Sequence, residues 1–227
     1  MIKVDKPLVS VNWLHQNIDA ENLVILDATI PKVGTKNEQK SNKNVIDNAR
    51  FFDIKNMFSD KTSLYPNTIV SSDKFEEYAQ TLGINKDSCI VVYDDLGIYA
   101  APRVWWMFKL MGFNNITVLD GGLPVWEAAG FQSKKLKEYQ FKKGNFKADF
   151  QSEKIIFTNQ VLSATINNDI LIADARSKGR FFGSEPEPRK EVRGGHIPNS
   201  VNLPYGEMLF NGKLKSIKEL KKIFQEI

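Results

Sequence analysis

Cysteine and histidine are nearly missing from this chain: its 227 residues include one thiol, Cys89, and two imidazoles, His15 and His196. A single thiol excludes an internal disulfide and any site built from several thiolates. Two histidines leave too few ligands for a zinc centre, so neither a metal nor an organic cofactor is expected. Long apolar runs are missing as well. Arg103 and Lys109 interrupt the most apolar stretch, which falls short of what a membrane-crossing helix requires. The first residues, Met1 to Pro7, hold no apolar block of the kind a secretory signal carries. A soluble, cytoplasmic protein with no membrane partner is the resulting expectation. Charge of one sign is not in excess either: 31 Lys and Arg against 27 Asp and Glu give +4. That is too dilute for a nucleic-acid surface and compatible with a small anionic substrate. What the chain does have is core material, 42% hydrophobic and 11% aromatic, enough for one or two domains.

Three blocks recur in the same order. Leu8-Val9-Ser10-Val11-Asn12-Trp13-Leu14 returns as Ile156-Phe157-Thr158-Asn159-Gln160-Val161-Leu162, in each case a Ser or Thr placed to cap a short amphipathic helix. Leu23-Val24-Ile25-Leu26-Asp27-Ala28 returns as Ile170-Leu171-Ile172-Ala173-Asp174-Ala175, a run expected to be a buried strand. Residues 46–53 return as 197–204, beginning Ile46-Asp47-Asn48 and Ile197-Pro198-Asn199. A duplicated domain follows from this order.

The first copy continues through a helix over 72–82 stopped by Gly83, a strand over 89–93, the turn Asp94-Asp95-Leu96-Gly97 and an aromatic helix over 101–111 with Pro102 in its first turn. A strand over 116–119 and a helix holding Trp126 complete it. Continuous Val/Ile/Leu strands alternating with helices predict an α/β fold, a parallel sheet sandwiched by helices. Residues 1–131 are read as the first domain and the Lys-rich, aperiodic stretch 132–151 as an interdomain linker. Residues 152–227 form a second copy whose last part, 217–227, matches the helix beginning at Ser72. The second domain is therefore expected to be truncated.

Two segments carry a family resemblance. One is Gly179-Arg180-Phe181-Phe182-Gly183-Ser184-Glu185-Pro186-Glu187-Pro188-Arg189 with Gly195-His196-Ile197-Pro198 after it; the other runs from Val92-Tyr93-Asp94 through Tyr99-Ala100-Ala101-Pro102-Arg103-Val104-Trp105-Trp106. Both resemble the two-domain sulfurtransferases of the rhodanese and 3-mercaptopyruvate sulfurtransferase family, over essentially the whole chain. The resemblance implies tandem rhodanese-like domains, the second catalytic, and transfer of a sulfane sulfur through a cysteine persulfide. It implies a small anionic sulfur donor, 3-mercaptopyruvate or thiosulfate, and as acceptor a small thiol, thioredoxin or cyanide. The nucleophilic cysteine is expected beyond Ile227, and Asp94 stands at the matching turn of the first copy, which should be catalytically silent. A catalytically inactive rhodanese-like binding or regulatory protein is the alternative.

By the same resemblance Arg180 and Arg189 hold the carboxylate and keto groups of the donor, a task suited to a planar guanidinium; the plain alternative is two solvated surface charges. The arginine after Glu-Pro-Glu-Pro favours the mercaptopyruvate branch. His196 reads as a loop-stabilising residue rather than an acid or base, and the first copy has Val45 in its place. Tyr99 and Arg103 are candidates for supporting contacts. Asp27 and Asp174 read as carboxylates that hold neighbouring loops. Cys89 precedes a buried strand, at the end opposite to where ligands of open α/β sheets gather, so it reads as a small core residue.

Overall fold

The computed structural model describes residues 1–32, 44–136, 140–167, 170–189 and 192–227, in two compact units. The first ends at Lys154 and the second runs from Ile155 to Ile227. In chain order the first unit contains β1 (Leu8–Val9), α1 (Val11–Gln16), β2 (Leu23–Asp27), β3 (Asn44–Ile46), β4 (Arg50–Phe51), α2 (Ser72–Thr81) and β5 (Cys89–Tyr93). It continues with α3 (Ala101–Leu110), β6 (Ile116–Leu119), α4 (Gly122–Ala128) and β7 (Ser133–Lys135). Five strands pair in parallel in the order β1-β6-β5-β2-β4. Every residue of the central strand β5 is buried, as its unbroken Cys-Ile-Val-Val-Tyr run requires of a strand covered on both faces.

One face is packed by an aromatic cluster that includes Phe52, Phe58, Phe75, Phe108 and Phe146, and the other by Leu14, Ile25, Ile46, Tyr93, Leu119 and Trp126. The helices begin where the sequence places polar caps. Ser10 Oγ accepts from the Trp13 N–H and Ser71 Oγ from that of Lys74, filling orphan donors of the first turn. Because Leu26 pairs with Val92 and Asp27 with Tyr93, β2 and β5 end level, which brings their following loops to one edge of the sheet. Ligands of such sheets gather at that edge.

Residues 132–151, anticipated as a linker, lie largely against the first unit; residues 137–139 are outside the described residues. β7 pairs antiparallel with β3, Ser133 opposite Ile46. Gly144 and Phe146 donate backbone hydrogen bonds to Gln80 and Ile84, and Asp149 and Gln151 to Met111 and Leu110. The Phe146 side chain is wholly buried among the other phenylalanines. A single deep anchor in a lysine-rich stretch produces no periodic pattern, so composition alone presents the segment as a tether.

The second unit comprises α5 (Thr158–Ala164), β8 (Ile172–Asp174), α6 (Lys178–Phe182), β9 (Ser200–Asn202), a small hairpin of β10 (Leu209–Phe210) and β11 (Lys213–Leu214), and α7 (Ile217–Gln225). The two units share some local geometry. Leu203 N–H donates to Asp174 O at 2.8 Å, as Phe52 N–H does to Asp27 O at 2.8 Å, and β8 runs parallel to β9 as β2 does to β4. α7 starts at a capping box in which Ser216 and Glu219 satisfy each other's N–H groups, the counterpart of the Ser71 cap. Two expectations need correction. Thr158 is not the cap of α5 but its first residue; the preceding Phe157 N–H donates to Gln160 Oε1 instead. The run beginning at Ile170 is not buried: Ile170 and Leu171 are exposed, because among the described residues β8 has one strand neighbour where β2 has two. No helix among the described residues is long and apolar enough to cross a membrane.

Candidate active-site elements

The turn after β5 is built around one carboxylate. Asp94 is 1% exposed. Its Oδ2 accepts from the N–H groups of Tyr99 (2.8 Å), Ala100 (2.8 Å) and Ala101 (2.9 Å), and Oδ1 from Leu96 (3.0 Å). These donors lie at and before the start of α3, where backbone N–H groups have no partner inside the helix and carry its partial positive charge. The loop is held from behind by α4. Leu123 N–H donates to Asp94 O at 3.0 Å, and Gly122, at φ +54°, sits so close that a Cβ there would overlap the carbonyls of Asp94 and Gly97. The turn therefore closes around its own side chain.

Tyr99 joins this cradle through its backbone, its side chain being half-buried. Arg103 turns elsewhere: Nη2 donates to the Asn67 carbonyl, and Nε is buried without a hydrogen-bond partner among the described residues. Burial lowers the Arg103 pKa from its usual value, a shift that leaves the guanidinium charged at neutral pH.

In the second unit Asp174, at the end of β8, is joined to a chain of alternating charges. Its carboxylate accepts from Arg176 Nε (3.0 Å) and Nη2 (2.5 Å) and from the Arg176 backbone N–H (2.9 Å). Arg176 Nη1 donates to Glu187 Oε1 at 2.8 Å, while Arg180 donates to Glu187 Oε2 through Nη2 (2.7 Å) and Nε (3.2 Å). Hydrogen bonding from Arg180 and the positive charge of both arginines hold the Glu187 carboxyl below the usual carboxylate range, and hydrogen bonding from Arg176 does the same for Asp174. The prolines at 186 and 188 set the run up locally, since a residue before Pro is pressed into extended backbone. Glu185 reaches back to the α6 cap, accepting from Ser177 Oγ at 2.8 Å, over a Gly179 that leaves no room for a Cβ.

Of the residues expected from sequence, Asp94 and Tyr99 meet in one turn of the first unit; in the second, Arg180 lies on α6 and His196 packs against that helix. His196 Nδ1 donates to the Phe181 carbonyl at 2.9 Å and its ring stacks on Phe181 at 3.9 Å, a holding contact. Arg189 is exposed, and its side chain forms no hydrogen bond or ion pair with described residues. Arg176 and Glu187 were not singled out by sequence. The signal was present in Glu-Pro-Glu-Pro, but Arg176 and Glu187 are eleven residues apart and no helical or strand period connects them.

Cys89 is buried at the start of β5, and burial pushes its thiol up to about 11. Desolvation disfavours the thiolate, so at pH 8 only about one molecule in a thousand carries one. Native protein at pH 8 is therefore expected to leave Cys89 unlabelled by a disulfide reagent that titrates one thiol after unfolding in guanidinium. Rapid labelling of the native chain would contradict the placement.

Comparison with known proteins agrees with this fold. The rhodanese-like domain family matches residues 10–129. The 3-mercaptopyruvate sulfurtransferase of Mus musculus is 36% identical, over 97% of this chain and 77% of its own length, and the thiosulfate sulfurtransferase of the same organism is 35% identical over the same shares. The crystal structure of SseA from Escherichia coli, a 3-mercaptopyruvate sulfotransferase, superposes with a TM-score of 0.88 at 32% identity, covering 97% of this chain and 83% of that one. Identity alone does not separate the two donors, which leaves that distinction to the side chains around the motif.

Proposed function

This chain belongs to the rhodanese and 3-mercaptopyruvate sulfurtransferase family, and from that premise we propose that it serves sulfur transfer from 3-mercaptopyruvate, ahead of thiosulfate, to a thiol acceptor. The observation that carries the reading is Arg180. Its Nε/Nη2 side is fixed on Glu187, Nη1 has no partner among the described residues, and the side chain is 32% exposed. An arginine held on one side and open at its end is suited to a ligand carboxylate, which it receives through paired N–H donors. Arg189, exposed and uncommitted, is proposed as the partner for the donor's keto oxygen.

Cys89 is unsuited to carry the sulfur, being buried, protonated and at the wrong end of its strand. The carrier is proposed to lie beyond Ile227, on the second copy of the strand, turn and helix that in the first copy hold Asp94. The first copy supports the chemistry by analogy. The path Cβ–Cγ–Oδ2 of Asp94 places a terminal anion two atoms beyond Cβ, as Cβ–Sγ–Sδ does in a cysteine persulfide. Three N–H groups receive that oxygen, and a fourth donates to Oδ1. A cradle of this kind lowers a thiol pKa and stabilises the thiolate. The thiolate attacks the donor sulfur, the carbon–sulfur bond breaks, and pyruvate leaves as its enolate, which takes up a proton. An acceptor thiol, thioredoxin or a small thiol, or cyanide then attacks the outer sulfur and regenerates the cysteine. Asp94 has no sulfur to carry, so the first unit is proposed to be silent and the two units to act as tandem domains of a cytoplasmic enzyme.

The test is to read the coding sequence past Ile227 and assay the encoded protein for sulfide release from 3-mercaptopyruvate with a thiol acceptor. An in-frame cysteine turn is expected, and Arg180→Ala should raise the donor KM about 10- to 100-fold through loss of a charged hydrogen-bonding partner. A stop codon there with a folded, inactive product would replace this reading by a rhodanese-like binding or regulatory protein.

A further inference from the structure

We infer that Glu187 is a specificity-determining positioning residue, one that orients the Arg180 guanidinium for donors bearing a carboxylate; the inference rests on the reading of Arg180 given above. Glu187 does not face solvent. Its side chain is 4% exposed and lies between two arginines, Oε1 on Arg176 and Oε2 on Arg180. Arg176 is spent within the protein: besides Glu187 it donates to both Asp174 oxygens and to the Gly195 carbonyl at 2.8 Å. Through Asp174 it is tied to the end of β8, so Glu187 is a strut between the sheet and Arg180.

The way Arg180 is engaged matters. A guanidinium offers hydrogen-bonding pairs along two usable edges, the side formed by Nε and Nη2 and the end formed by Nη1 and Nη2. Glu187 takes the side edge through a single oxygen. The end edge keeps one N–H on each terminal nitrogen, parallel and spaced for the two oxygens of a planar carboxylate. Without Glu187 the long side chain regains its rotamers and the edge no longer has a fixed direction.

Charge argues the same way. Asp174, Arg176, Glu187 and Arg180 form an alternating set of two negative and two positive groups. Glu187 therefore weakens the local attraction for any anion while fixing the geometry for one class. A residue present for attraction alone would not be a buried carboxylate beside the binding cation. Thiosulfate, a tetrahedral dianion, can also lay two oxygens on the end edge. With twice the charge of 3-mercaptopyruvate's single carboxylate, it draws more on attraction and less on a fixed edge, and loses more to the nearby Glu187 carboxylate. Glu187 is thus a device for telling the two donors apart.

The experiment compares Glu187→Gln, Glu187→Ala and Arg180→Ala with wild type, all as the full encoded protein read past Ile227, in sulfide- and sulfite-release assays with 3-mercaptopyruvate and thiosulfate as donors. Calorimetric affinity for pyruvate, which keeps the carboxylate and keto groups, is measured alongside. Gln fills the same volume but sets an amide NH₂ against one of the arginines. Glu187→Gln is expected to lose about tenfold in kcat/KM for 3-mercaptopyruvate and in pyruvate affinity, with thiosulfate kcat/KM changed less than about twofold or increased. Equal losses with both donors would mark a merely structural role and overturn the inference, as would unchanged kinetics in Glu187→Gln while Arg180→Ala raises the mercaptopyruvate KM. Were Arg180→Ala itself without effect on mercaptopyruvate KM and pyruvate affinity, or wild type unable to use or bind either compound, the reading of Arg180 would fall and the inference with it.

Discussion

Replacing Asp94 by Ala is expected to destabilise the first unit by about 3–5 kcal/mol, since each buried N–H left without its partner costs about 1–3 kcal/mol and four converge on this carboxylate. Water entering the vacated space recovers part of the loss, which keeps the total below four full penalties. Against a typical domain stability of about 5–15 kcal/mol, this brings the unit close to unfolding at ambient temperature. Asp94→Asn should lose less, because one amide oxygen still accepts while the NH₂ opposes the remaining donors. Urea unfolding followed by far-ultraviolet circular dichroism measures both variants. A loss within about 0.5 kcal/mol for the alanine variant, the range of an ordinary surface change, would mean that the turn is held by its packing against α4 and not by the carboxylate.

The second large effect concerns residues 140–151. Phe146→Ala is expected to cost about 3–5 kcal/mol, the range for emptying a buried aromatic site. Phe146 touches Phe75, Phe108 and Phe113 at ring separations of 5.6–6.0 Å, so no single neighbour can relax into the space it leaves. The same variant should expose Lys142, Lys143 and Lys147 to trypsin, because the backbone bonds from Gly144 to Gln80 and from Phe146 to Ile84 depend on that anchor. Wild-type unfolding and wild-type cleavage rates in the variant would return the segment to a passive tether.

Much of the first unit could be read from residue order. The stops at Gly83 and Gly112 are glycines with φ +68° and +75°, and the strand over 89–93 appears with those bounds because a run of five apolar residues has no other place in an α/β layer. One local likeness was legible: Asp27 and Asp174 both end strands, and the structure gives them matching backbone bonds and matching side-chain bonds to the residue two further on. Less legible was whatever depends on one contact and no period. Phe146 is such a case, and so is the bridge from Arg176 to Glu187, where both residues read as surface charges until their loops are folded together. Thr158 failed as a cap for a local reason: the N–H groups of Gln160 and Val161, which it would have capped, already donate to the Phe157 carbonyl. Arg180 was singled out from its motif, but the motif does not say which edge of the guanidinium Glu187 takes.

The seclusion of Cys89 has a bearing on chemical housekeeping. Loosely bound sulfur is promiscuous and passes to whichever thiolate it meets, forming dead-end polysulfides or mixed disulfides with bystander thiols. Within these 227 residues the sole thiol is protonated and walled into the sheet, and the turn that could have offered another is occupied by an oxygen acid that neither accepts sulfur nor oxidises. These 227 residues therefore present no exposed thiol of their own, so under the proposed function sulfur delivered nearby meets no rival acceptor among them.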